Sequence, residues 1–186
     1  DGYGGGILNR IRFLREVTEA CCDAVGAERV AVRVSPHVAY NDMRDSAPLE
    51  LFGTLAEILD GFNLAFLEVV EGLPGHYLYV PDPPALPVIR AAFKGALVAN
   101  GGYDADLAAR AIESGMADAV SFGIPFIANP DLVERFRRNI PLSAPDPATF
   151  YTPGPKGYTD YPAADGEAAP LRPAYRRISA EEARKH

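Results

Sequence analysis

The sequence predicts an α/β protein built on a short parallel sheet. Four segments with strand-like alternation or short apolar runs are each followed by residues spaced for a helix. Turn formers and prolines separate them, and the intervals leave room for helical crossovers, which pair strands in parallel with right-handed connections. At 186 residues the chain can hold one domain with a sizeable core. A complete barrel of eight strand–helix units needs about 250 residues and does not fit.

The first helix is expected after Asn9 as N-cap, with Phe13, Leu14, Val17, Cys21 and Ala24 on its apolar stripe and Gly26 as the left-handed stop. Residues 29–35 alternate strictly, with Val30, Val32 and Val34 on one face and Ala31, Arg33 and Ser35 on the other, the signature of a strand. A turn-rich loop leads to a helix carrying Leu51, Phe52, Leu55, Ile58 and Leu59 and closed by Gly61, and residues 64–70 form the second strand. Five prolines between Glu71 and Pro87 make that segment a long loop, which precedes a short helix at 88–93. Residues 96–99 read as the third strand. Asp104 then starts a helix through Leu107, Ala108, Ala111 and Ile112, stopped at Gly115, and residues 119–122 read as the fourth strand. Asn129 and Pro130 stand in the preferred order of N-cap and first-turn proline ahead of Leu132, Val133 and Phe136. Residues 1–162 are the structured part, and 163–186 form a Pro, Ala and charge-rich tail with at most one marginal helix near Ser179.

With 25 acidic against 18 basic side chains the net charge is -7, which argues against nucleic acid or an anionic membrane as partner and favours a small molecule. No apolar stretch is long enough to cross a bilayer, and DGYGGG has neither the basic start nor the apolar core of a secretory signal. Cys21 and Cys22 are adjacent in a helix, where their side chains diverge, so neither a disulfide nor a metal site is expected and the compartment is taken as cytoplasmic. His37 and His76 lie in loops with no partner at metal-ligand spacing.

Several separate motifs follow one another: DGYGGGILNRIRF, AVRVSP, AYNDM, ANGGYD, SFGIPFIANPDLVERF and TFYTPGPKGYTDYP. Together they resemble the C-terminal half of the Old Yellow Enzyme family of FMN-dependent ene-reductases, over residues 1–162. Periodicity alone does not separate a doubly wound sheet from part of a barrel. The resemblance implies the C-terminal half of a TIM (β/α)8 barrel, with four parallel strands and flanking helices. Gly2, Gly6 and Leu8 depart from the family's opening motif, and a flexible glycine loop accounts for them without chemistry.

Each motif has two readings. A guanidinium on a strand needs an acceptor, so Arg33 is either an end-of-strand ion pair or, as the resemblance implies, the cation beside the N1 and C2 carbonyl region of FMN. Tyr40 and Asn41 are either an exposed turn or the family's aromatic–Asn pair over the substrate. Gly101 and Gly102 serve a tight strand-to-helix turn or bring backbone amides to the FMN phosphate at a helix N-terminus. Gly123 would complete that cradle, but Ile124 stands where the family has a phosphate-binding arginine. Phe150 and Tyr151 are either aromatic anchors or the pair that lies against flavin and substrate, respectively.

No segment matches the family's carbonyl-binding His-Asn or His-His pair or its proton-donating tyrosine, which lie upstream in the family. The resemblance therefore implies a chain that reduces activated alkenes such as α,β-unsaturated carbonyls with FMN and NAD(P)H once an N-terminal half is supplied. A flavin-free homologue, a dimer of half-barrels with a non-redox isomerase, cyclase or binding role, is the alternative, and a non-catalytic partner subunit is a third. Four strands leave two open edges and an exposed inner face, which implies a homodimer or a complementary N-terminal half-barrel.

Overall fold

Strand alternation and helical spacing produce one sheet with helical crossovers in the computed structural model, which describes residues 1–38 and 43–164. Its strands are β1 (Ala31–Val34), β2 (Phe66–Val70), β3 (Leu97–Asn100) and β4 (Ala119–Val120). They lie in the order β1-β2-β3-β4 and every pair is parallel. Helices α1 (Ile7–Arg10) and α2 (Arg12–Val25) precede the sheet, and α3 (Pro48–Asp60), α4 (Leu86–Ala92) and α5 (Ala105–Glu113) make the three crossovers. Consecutive parallel neighbours joined by helices are the arrangement of a (β/α) barrel segment. The chain divides into two compact units, Asp1–Ser121 and Phe122–His186.

In the first unit one face of the sheet packs against the helices. Leu67, Val69, Leu97 and Ala99 from the strands meet Leu51, Leu55 and Leu59 of α3 and Ile89 of α4 in a single buried cluster closed by Phe93. Helix α3 begins at Pro48 and is capped by Gly61, as its sequence requires. Helix α5 is capped by Asp104, whose carboxylate accepts from the Leu107 amide at 2.7 Å, and Gly115 follows it at φ +72°.

The first helical segment differs from its sequence reading. Asn9 lies inside α1 rather than at a cap, and the chain turns at Ile11 before α2. The stripe of α2 that turns inward is Ile11, Leu14, Thr18 and Cys22, with the Thr18 hydroxyl satisfied by the Leu14 carbonyl at 2.8 Å. Phe13 is 68% exposed and Val17 45% exposed. Two apolar strips run side by side on this helix, and periodicity identifies both without saying which one the sheet covers.

In the second unit α7 (Leu132–Arg138) is the helix expected after Asn129 and Pro130, and a further short helix, α6 (Ile124–Ala128), precedes it. Asn129 stands at the C-cap of α6 and not at the N-cap of α7, which is Asp131. Asn129 is fully buried, donates from Nδ2 to the Pro125 and Ser143 carbonyls at 2.8 and 3.1 Å, and accepts from the Ser143 amide at 2.7 Å. Its amide therefore ties α6 to the following loop, using both donor and acceptor capacity where an apolar side chain would leave backbone groups unpaired. Buried Arg135 binds Asp131 Oδ1 at 2.8 Å and the carbonyls of Pro141 and Pro162 at 2.6 and 3.1 Å. That guanidinium, with the Ala164 amide on Asp131 Oδ2, holds the Asp131 carboxyl below the usual carboxylate range. The tail helix expected near Ser179 lies outside the described residues.

Candidate functional site

The parallel register decides which side chains share a face at the carboxyl ends of the strands. Arg33 on β1 pairs in register with Glu68 on β2, and Asn100 ends β3 two positions beyond Val98, the partner of Glu68. With a side-chain period of two, all three project to the face opposite the helix-packed Val69 and Ala99. Arg33 Nη1 lies 2.7 Å from Glu68 Oε1, and Arg33 Nη2 donates to Asn100 Oδ1 at 3.3 Å. Asn100 Nδ2 donates to both the carbonyl and the hydroxyl oxygen of Ser121 at 2.9 Å, and the Ser121 hydroxyl returns a short bond to Glu68 Oε1. The result is a closed polar ring to which the three strands and the residue after β4 each give one member.

Arg33 is thus an ion pair at the end of a strand, and it is also open to solvent. Its side chain is 56% exposed while that of Glu68 is only 13% exposed. A guanidinium carries five N–H donors, so two contacts leave capacity for an external acceptor. The open face continues below it with exposed Ala31, Phe66 and Ala119.

A second set of contacts surrounds Glu71, just after β2. Its carboxylate accepts from the Ala85 and Leu86 amides at 2.7 and 3.2 Å and so caps α4. His37 Nε2 lies 3.6 Å from Glu71 Oε1 and 3.1 Å from the Pro83 carbonyl, its side chain 7% exposed. Burial, with Glu71 nearby, pushes the Tyr103 hydroxyl up, and burial pushes the His76 imidazole down.

The glycine turn after β3 has a packing reason of its own. Gly101 sits at φ +124°, and a Cβ there would lie 2.3 Å from the Glu71 carbonyl oxygen. Gly102 sits at φ +86° against His76. Gly102 is nevertheless exposed, at the start of capped α5, so its backbone faces solvent. In the second unit Gly123 is exposed and nothing lies within 4 Å of its Cβ position. Ile124 opens α6 as an aliphatic, half-buried side chain. Phe150 is half-buried, but Tyr151 is 97% exposed at φ +57°, so it anchors nothing. Tyr151 helps line an aromatic groove of about 460 Å³ with Phe126, Ile127, Phe150 and Tyr158. Tyr40 and Asn41 lie outside the described residues.

Glu68, Ser121 and Glu71 carry the polar network and were missed from sequence. Glu68 had a visible signal: it is the one acidic residue in the apolar run LAFLEVV. Ser121 and Glu71 sit just past strand ends and had none.

A parallel sheet with helical crossovers and its polar side chains gathered at the strand carboxyl ends defines the ligand-binding side of an α/β-barrel segment. The NADH:flavin oxidoreductase / NADH oxidase family model matches residues 1–143. An Old Yellow Enzyme homologue from Zymomonas mobilis (NCR) has a TM-score of 0.84 at 45% identity, over 87% of this chain and 46% of that one. A Leishmania infantum protein named "Probable flavin mononucleotide-dependent alkene reductase" is 44% identical over 162 residues, 87% of this chain and 43% of its own length. 12-oxophytodienoate reductase 7 of Oryza sativa subsp. japonica is 42% identical over 179 residues, 87% of this chain and 45% of its own length. The chain belongs to this NADH:flavin oxidoreductase family, the Old Yellow Enzymes, and spans a little under half the length of these relatives.

The residues present can be tested against the family's FMN. In the first unit the exposed donors of Arg33 fit a carbonyl or anionic ring edge and the open backbone at Gly102 fits an oxyanion; in the second, the backbone at Gly123 is likewise open. In the second unit the side chain at 124 supplies no charge. Among the described residues no helix is long and apolar enough to cross a membrane, and no cluster of His, Cys, Asp or Glu could hold a metal ion.

Proposed function

We propose that this chain is the C-terminal half of an FMN-dependent ene-reductase barrel that uses NAD(P)H to reduce activated alkenes such as α,β-unsaturated carbonyls. The observation that carries this reading is the placement of Arg33 at the carboxyl end of β1, exposed on the open face and aimed by Glu68 and Asn100. Relatives named for alkene and 12-oxophytodienoate reduction support the substrate class. When bound, FMN supplies hydride transfer from reduced nicotinamide to the alkene. In the first unit Arg33 would donate to the ring edge of the flavin and Gly101 and Gly102 would offer amides to its phosphate; the second-unit residues Gly123, Phe150 and Tyr151 are assigned to FMN and substrate by resemblance alone. Tyr40 and Asn41 belong to the same reading by resemblance alone. Residues 1–162 make up the barrel half, and free Cys21 and Cys22 accord with a cytoplasmic location.

Titration of FMN with the purified chain tests this reading, followed by quenching of flavin fluorescence. Saturable quenching that weakens at least tenfold in Arg33→Ala is the expected result. No quenching by the chain, alone or mixed with a family N-terminal half, would favour the flavin-free alternative.

The same reading assigns a partner. Among the described residues, strands β1 and β4 each have one neighbour in the sheet, and Phe66 is 38% exposed on the open face. An unpaired parallel edge next to exposed apolar surface favours association. We expect the chain to sediment as a homodimer, or as a heterodimer when an N-terminal half-barrel is added. A stable monomer under both conditions refutes the assignment.

A further inference from the structure

The geometry points to Glu68 as the residue that sets how much positive charge Arg33 offers to a ligand. This inference deepens the reading of Arg33 as a flavin contact and rests on it for the identity of the ligand, but not for the charge argument. Arg33 Nη1 is 2.7 Å from Glu68 Oε1, and the side chains are 56% and 13% exposed respectively. The carboxylate is therefore the sheltered member and the guanidinium the presented one. Glu68 cannot swing away freely, because Oε1 also accepts the Ser121 hydroxyl, which Asn100 holds in turn.

Three consequences follow from that fixed placement. The ring holds Arg33 in one orientation, since Nη1 and Nη2 are bound to different strands. A negative charge placed in contact with a cation opposes any second anion brought to the same cation, by Coulomb's law at short range. The pair is close to neutral, so it suits a ligand edge that carries carbonyl acceptors better than one that carries a full charge. Glu68 thus positions Arg33 and at the same time lowers its affinity for anions. Under the flavin reading Glu68 weakens the preference that an unpaired Arg33 would give the reduced, anionic ring over the oxidised, uncharged one.

Glu68→Gln separates positioning from charge, because the amide oxygen can still accept from Arg33 and Ser121 while the negative charge is gone. Glu68→Asp retains the charge and serves as the conservative control. Glu68→Met is a second neutral variant for use if the Gln protein does not fold by circular dichroism. One measurement needs no flavin: inorganic phosphate is titrated into each chain and followed at the Arg33 Nε–H resonance. Half-saturation at least tenfold lower in Glu68→Gln, with Glu68→Asp close to the parent, is expected. A second measurement is the midpoint potential of bound FMN. It should rise by about 30 mV in Glu68→Gln, the equivalent of tenfold tighter relative binding of the reduced form in a two-electron couple. A Glu68 that served structure alone would lower the melting temperature of the variants and leave both readouts in place.

If neither chain binds FMN and phosphate binding still tightens tenfold, the flavin reading falls and the role of Glu68 stands. If FMN binds but Glu68→Gln leaves phosphate affinity and potential within twofold and 10 mV of the parent, about the tenfold-per-30 mV scale, the role of Glu68 falls and the flavin reading stands.

Discussion

Ile124→Arg should tighten FMN binding by about 10- to 100-fold. A guanidinium on phosphate makes a charge-assisted, often bidentate contact of about 1.5–3 kcal/mol, and each 1.4 kcal/mol is about tenfold in affinity. Ile124 is the first residue of α6, and Gly123 before it is exposed with nothing within 4 Å of its Cβ position. The half-buried Ile124 loses some packing on substitution, so the dissociation constant is to be compared at matched folded fraction. Fluorescence quenching of FMN reads the effect directly. An unchanged dissociation constant in a folded variant would mean that the turn at Gly123 does not meet the phosphate at all.

Gly101→Ala should destabilise the first unit by more than about 3 kcal/mol. Two terms add. The backbone at φ +124° lies where side chains are strained by about 1–3 kcal/mol. The added Cβ would also lie 2.3 Å from the Glu71 carbonyl oxygen and 2.7 Å from its carbon. Those are backbone atoms at the end of β2, and they cannot step aside without moving the strand and the cap of α4. Gly115→Ala provides the calibration: its φ is +72° and nothing lies within 4 Å, so only the strain applies, about 1–2 kcal/mol. Denaturant midpoints for the two variants measure the difference. Equal midpoints would refute the close approach. The comparison also bears on function, because a glycine required by packing is explained before any ligand is invoked.

Much of the fold was legible because each element carried a local signal. Alternation at 29–35, the proline-rich interval after Glu71, the Asp104 cap and the Gly26, Gly61 and Gly115 stops each mapped to an observed boundary within a few residues. The parallel pairing followed from the crossovers, and the sequential strand order from the family resemblance. Failures came where local signals were ambiguous or long-range partners decided. Asn129 before proline is a good cap in isolation, yet a loop carbonyl and amide at Ser143, 14 residues away, claim its side chain. The α2 stripe was misjudged because two apolar strips compete and only tertiary packing selects one. At the mouth of the sheet, Arg33 was visible as a strand cation, but its partner required register, which no single segment encodes. Motif order put Gly101 and Gly102 in the turn after β3, where the structure has them, whereas the near-complete exposure of Tyr151 had no sequence signal.

Glu71 has a consequence for ligand entry. Its carboxylate fastens the start of α4 and meets His37, while its carbonyl is packed against the Gly101 turn. Rim segments that follow three different strands are thus fastened to one residue. The entropy of ordering them is lost when the chain folds rather than when a molecule arrives, so this part of the rim behaves as a rigid lip. A molecule docking beside this lip is then expected to meet positions of His37, Ala85 and Gly101 that folding has already set.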